Sequence, residues 1–116
     1  MSVKTGLNFG QALEVLKAGG LVARNGWNGK GMFLFQRPAD EITLDTVVHV
    51  IKSIPQSVKD YLAQKIDFTN PGRLDGQHKI KFTAYICMYA ADGSIVNGWL
   101  ASQTDLLSND WYDINE

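Results

Sequence analysis

The spacing of hydrophobic and polar positions changes several times along this chain, and each change marks an element. Phe9, Ala12, Leu13 and Leu16 fall on one helical stripe. Asn8 can cap that helix with Gln11 as its reciprocal capping-box partner. Lys17 lies in the last turn, and Gly19-Gly20 ends the helix with residues that tolerate positive φ. Residues 21–24 read as a short strand, Asn25-Gly26 as a turn, residues 26–31 as a glycine-rich loop, and residues 32–36 as a second strand. Helical spacing returns at Leu44, Val47, Val48 and Ile51, and Pro55 ends or restarts that helix. A capping box at Ser57 and Asp60 then predicts a further helix, with Val58, Tyr61 and Leu62 on one face.

Residues 67–77, rich in Asn, Pro, Gly and Asp, read as a loop. The clearest strand follows over residues 79–90, where Ile80, Phe82, Ala84, Ile86, Met88 and Ala90 alternate with a second set. That second set includes Tyr85, Cys87 and Tyr89, so the other face is also fairly apolar and calls for cover by another subunit or a ligand. Asp92-Gly93 turns the chain into a partner strand over residues 94–100. A capped helical turn spans residues 102–107, and the chain finishes near residues 111–114. The expected fold is α+β: a small antiparallel sheet with an N-terminal helix and an inserted helical segment at residues 39–78, all in one domain of residues 1–116.

Composition narrows the function classes. With a net charge of -1 the chain offers no broad basic surface for a DNA or RNA polymer, and it is too weakly acidic to mimic one. The single cysteine, Cys87, forms no internal disulfide, which fits a reducing cytoplasm. No secretory leader and no apolar run of membrane-spanning length is evident, so no membrane is expected.

Candidate catalytic chemistry is thin. His49 and His78 have no partners at metal-ligand spacing, and Cys87 lies on a strand with nothing nearby in sequence to activate it. No metal ligand, cofactor or catalytic residue is assigned. Asp105, Asp110 and Asp113 are compatible with a two-carboxylate hydrolase, although surface and capping roles explain them more simply. The glycine loop lacks P-loop spacing, and it leads into a strand where a dinucleotide fingerprint would open a helix. Two explanations stay open for it: a plain hairpin loop, or backbone N–H groups at Gly29 and Gly31 that approach a pyrophosphate beside Arg24 and Lys30.

Trp27, between a turn and two glycines, is either a core plug folded back or a flat face for a base, with Phe33 or Phe35 as a second wall. On the latter basis Trp27→Ala is expected to weaken ligand binding and leave folding intact. The segment from Trp99 through Ser102, Gln103, Thr104 and Asp105 combines a capping box with two further hydrogen-bonding side chains, and suits a small polar ligand.

Two segments together resemble a known family. One runs from Asn8-Phe9-Gly10-Gln11-Ala12-Leu13 through Val22-Ala23-Arg24-Asn25-Gly26-Trp27-Asn28-Gly29-Lys30-Gly31-Met32. The other comprises Ala91-Asp92-Gly93-Ser94-Ile95-Val96, residues 99–107 and Asp110-Trp111. They are similar to the second Thoeris anti-defence family, phage proteins that sequester cyclic ADP-ribose isomers made by TIR enzymes. The resemblance implies a homotetramer with pockets between subunits, acting in the host bacterial cytoplasm as a sponge that does not cleave its ligand. It also allows cyclic oligonucleotides at a separate site. Carried onto matching positions, Trp27 stacks on a base, Asn28 and residues 102–105 bind polar groups, and Arg24 helps with phosphate. The candidate ligand-binding set is Arg24, Trp27, Asn28, Phe33, Trp99, Ser102, Gln103, Thr104 and Asp105. Nothing carries over to residues 39–78. The alternatives are a cyclic nucleotide hydrolase and a module whose inserted helices grip a host protein.

Overall fold

The computed structural model describes residues 5–27, 31–69 and 78–115. Its elements are α1 (Phe9–Lys17), β1 (Val22–Arg24), β2 (Phe33–Arg37), β3 (Asp40–Thr43), α2 (Leu44–His49), α3 (Gln56–Thr69), β4 (Lys79–Phe82), β5 (Tyr85–Tyr89), β6 (Ile95–Asn97), α4 (Gln103–Leu107) and β7 (Trp111–Asp113). They divide into two compact units, Met1–Pro38 with Ala84–Glu116, and Ala39–Thr83. The α+β class with antiparallel sheets agrees with the expectation from sequence.

The first unit is a five-stranded antiparallel sheet in the order β6-β5-β2-β1-β7, with α1 on one face. The capping box at α1 forms as the sequence suggests. The Gln11 amide donates to Asn8 Oδ1 at 2.8 Å, and the Asn8 amide donates to Gln11 Oε1 at 2.9 Å. The helix stops where Gly19 takes φ 92° and the Gly20 amide reaches back to the Val15 carbonyl. From α1, Ala12 and Leu16 join Val22, Leu34 and Trp111 in the buried core, and Phe9 meets Trp111 edge-on at 5.4 Å.

Strand alternation divides the sheet. Leu34, Ile86 and Met88 pack with the core, whereas Phe33, Phe35, Arg37, Tyr85, Cys87 and Tyr89 belong to the opposite face. On that face Phe33 stacks on Tyr89 at 5.1 Å, and the Arg37 guanidinium lies 5.4 Å from the Tyr85 ring centre. Among the described residues, no helix of this unit packs there.

Two strands went unrecognised in sequence. Residues 79–90 form two strands, not one, separated by Thr83 and Ala84. The first, β4, pairs with β3 inside the second unit, with Ile42 opposite Ile80, and the second, β5, pairs with β2. Asp40 and Glu41 are poor strand formers, so β3 exists because β4 supplies a partner. Strand β7 pairs with β1 at Val22–Asp113, Ala23–Tyr112 and Arg24–Trp111; three residues are too few to show a period of two.

Other boundaries also move. Helix α3 begins at Gln56, before the proposed cap at Ser57; the Pro55 carbonyl accepts from the Val58 and Lys59 amides, and Asp60 accepts from the Gln56 side chain instead. The same helix runs to Thr69, into the stretch read as a loop from residue 67, and residues 70–77 of that loop lie outside the described residues. Strand β6 is shorter than the expected 94–100 because Gly98 takes φ 75°. The Trp99 amide still donates to the Ile86 carbonyl at 2.7 Å, so two residues oppose one, as in a glycine-led bulge. That extra residue returns Trp99 to the core side of the sheet.

Candidate functional site

At one end of the sheet, β1 leaves at Arg24, β7 enters at Trp111, and α4 lies between β6 and β7 in sequence. Three tryptophans meet there at steep angles. Trp27 lies 5.3 Å from Trp111 and 6.3 Å from Trp99, and Trp99 lies 6.4 Å from Trp111, ring centre to ring centre. Edge-to-face contacts of this kind set the positive rim of one ring against the negative face of another. Trp111 is fully buried, and its indole N–H donates to the Asp105 carbonyl at 3.0 Å.

A polar cluster adjoins the rings. Arg24 donates from Nη1 to Asp105 Oδ1 at 2.7 Å and from Nε to Asp110 Oδ1 at 2.8 Å. The Trp27 indole N–H donates to the same Asp105 oxygen at 3.2 Å, and the Gly26 amide donates to Asp110 Oδ2 at 2.7 Å. Asp105 also closes the capping box of α4: its Oδ2 accepts from the Ser102 amide at 3.1 Å, and its own amide donates to Ser102 Oγ at 3.1 Å. The side chains of Arg24 and Asp105 are 11% and 13% exposed, so their pairing is shielded from bulk water in a way that a surface pair is not.

These contacts set the ionisation of the cluster. Hydrogen bonding to Asp110 raises the Arg24 pKa above its ordinary value against the opposing effect of burial. Burial pushes Asp105 up, but the hydrogen bonds from Arg24, Ser102 and Trp27 together outweigh it and hold the carboxyl below its usual range. Asp110 is lowered by Arg24 and by the Gly26 amide against a smaller burial effect. Both carboxylates are ionised near neutrality, and one guanidinium between them leaves the cluster with a net single negative charge.

The structure therefore brings together Arg24, Trp27, Trp99, Ser102 and Asp105 from the sequence-derived set. Gln103 and Thr104 are exposed on the first turn of α4, beside the cluster. Phe33 stands elsewhere, on the opposite face of the sheet against Tyr89. Asn28 lies outside the described residues. Sequence reasoning missed Asp110 and Trp111 as parts of this cluster. Their nearness to Arg24 depends on the β1–β7 pairing, whose only sequence signal was the Asp110-Trp111 pair within the second motif.

Asp113 is buried farther along β7, opposite Val22, and accepts from the Asn115 amide. Among the described residues, no three of His, Cys, Asp and Glu stand close enough to hold a metal ion. Among the same residues, no helix is long and apolar enough to cross a membrane.

These features define a small α+β protein, with an antiparallel sheet closed on one side by a helix and a tryptophan–arginine–carboxylate cluster at one end. Residues 7–114 match the Tad2-like domain, described as Thoeris anti-defense 2-like, and the chain belongs to that family. It is 35% identical over 109 residues to Thoeris anti-defense 2 of Bacillus phage SP01, a match that covers 94% of this chain and 96% of that protein. The resemblance of the paired motifs to the second Thoeris anti-defence family thus extends over nearly the whole chain.

Proposed function

We propose that this protein is a phage anti-defence sponge that binds cyclic ADP-ribose isomers in the host cytoplasm and holds them without cleavage, keeping a Thoeris-type signal from its effector. The observation that carries this reading is the meeting of Trp27 and Asp105, from two motifs far apart in the chain, through one hydrogen bond of 3.2 Å. Stacking of a base needs an aromatic ring fixed in place, and the half-buried Trp27 is fixed by its steep contacts with Trp111 and Trp99. Polar groups at Ser102, Gln103 and Thr104 suit ribose and phosphate oxygens beside it. In this arrangement Arg24 orders the site through the two carboxylates it binds.

The engagement of Asp105 and Asp110 by Arg24, Trp27 and Gly26 speaks against either acting as a general acid. A general acid at neutral pH needs a raised pKa, and Asp105 and Asp110 are both lowered. The aromatic face formed by Phe33, Tyr85 and Tyr89 supports assembly of subunits, which in a homotetramer builds pockets between copies and gives Phe33 a place in a wall contributed by a second subunit.

The test is incubation with a mixture of cyclic ADP-ribose isomers, filtration, heat release and mass spectrometry. An intact isomer recovered only after heating supports the sponge. Cleaved ADP-ribose points to a hydrolase. No depletion of the mixture removes this ligand class and leaves cyclic oligonucleotides and a protein partner to be tried in the same way.

A further inference from the structure

Asp110 accepts hydrogen bonds from three successive residues. Its Oδ1 accepts from Arg24 Nε at 2.8 Å, its carbonyl accepts from the Asn25 amide at 3.0 Å, and its Oδ2 accepts from the Gly26 amide at 2.7 Å. The next residue is Trp27, whose own amide closes a turn onto the Arg24 carbonyl at 3.2 Å. The strand end and the whole approach to Trp27 are thus tethered to one residue of the segment between α4 and β7.

Neutralising Arg24 does not require this second carboxylate, because Asp105 already meets the guanidinium at 2.7 Å. The added acid leaves the cluster with one excess negative charge. What Asp110 adds is acceptance of backbone amides that open the loop. Gly26 shows how close that approach is: a Cβ there would lie 2.6 Å from Asp110 Oδ2 and 2.9 Å from Arg24 Nη2. A side chain at position 26 forces the Asp110 carboxylate and the Arg24 guanidinium to shift.

We propose that Asp110 is a positioning residue for the ligand site, acting through Arg24 and the Gly26 amide to hold Trp27 where a nucleobase stacks. Its assignment to ligand binding rests on the function proposed above; its hold on Trp27 is a property of the protein without ligand. Asp110 itself touches no ligand in this scheme, since both of its carboxylate oxygens are occupied by the protein.

The experiment has two arms. In the first, indole N–H resonances are recorded for the ligand-free protein, with that of Trp27 identified by its loss in Trp27→Phe. Asp110→Asn shifts the Trp27 indole resonance and speeds hydrogen exchange at the Gly26 amide by about tenfold or more. The Trp111 indole, bonded to the Asp105 carbonyl, stays in place. Gly26→Ala produces the same displacement with every charge retained, and serves also where Asp110→Asn folds poorly. A Trp27 indole unmoved in both variants, with an unchanged Gly26 amide in Asp110→Asn, overturns the proposal.

The second arm uses the cyclic ADP-ribose isomer that the unaltered protein retains. Asp110→Asn lowers affinity about tenfold, but in a Trp27→Ala background it lowers affinity by less than about twofold. Equal losses in both backgrounds indicate a general structural role and overturn the positioning role. If the unaltered protein retains no isomer, the proposed function fails, and the first arm alone decides whether Asp110 positions Trp27.

Discussion

The indole N–H of Trp27 donates to the Asp105 carboxylate at 3.2 Å, and the same oxygen accepts from Arg24 at 2.7 Å. Asp105 thereby joins the glycine-loop residue to the helix it caps. Trp27 belongs to the packed structure on one side, and that changes what its substitution does.

Trp27→Ala is expected to weaken ligand binding by about 1–3 kcal/mol, but folding is not left intact as the sequence alone suggested. The ring packs edge-on against Trp111 and Trp99, so its removal also destabilises the unit. Trp27→Phe retains much of the apolar contact and loses the bond to Asp105. Calorimetric binding paired with thermal melts separates the two effects: both variants lose affinity, and Trp27→Ala melts lower than Trp27→Phe.

Removing the guanidinium should cost more than removing either acid. Arg24→Met leaves two carboxylates, neither of them fully solvated, facing each other without a cation. A loss of about 2–4 kcal/mol is expected, somewhat below the cost of breaking a fully buried pair because Asp110 is partly solvated. Urea denaturation measures it, and a loss below that of Asp110→Asn would show that Arg24 is not the centre of the cluster.

Acid should weaken the fold in a defined direction. Asp105 and Asp110 have folded pKa values below the ordinary value of 3.8, so their contribution is complete above that value and is lost as pH falls through the lower folded values. Asp92 is also lowered, by hydrogen bonds from Ser94 at an exposed turn, and serves as a control. Denaturant midpoints from neutral pH down to about pH 3 should fall less in the Asp105→Asn, Asp110→Asn double variant than in the unaltered protein. Asp92→Asn should leave most of that slope in place.

Ser102→Ala separates capping from ligand contact. Loss of the side-chain acceptor at this helix start costs about 1 kcal/mol of stability. Asp105 keeps its bonds to Arg24 and Trp27 in this variant, so Asp105→Ala should lower both the melting temperature and the affinity further than Ser102→Ala does. Similar affinities for the two variants would argue against a special role for the Asp105 carboxylate.

Local chemistry made much of this protein legible from its residues alone. The cap at Asn8 and Gln11, the glycine stop after Lys17 and the cap at Ser102 and Asp105 each involve groups within a few residues of one another, and each forms as the sequence suggests. The paired motifs pointed to the family for a related reason, since they are contiguous strings. Strand partners are set over long distances. Residues 79–90 carry one uninterrupted alternation, yet its two halves pair in different sheets because Ile42 and Phe35, both distant in sequence from this run, wait opposite Ile80 and Cys87. The site shows the same division. Trp27, Arg24 and Asp105 stand out by residue type, but only tertiary pairing of β1 with β7 brings Asp110 to Arg24, and only the left-handed turn at Gly98 returns Trp99 to the tryptophan cluster. Side-chain chemistry is written residue by residue, whereas the meeting of residues some eighty positions apart is decided by which strands find each other.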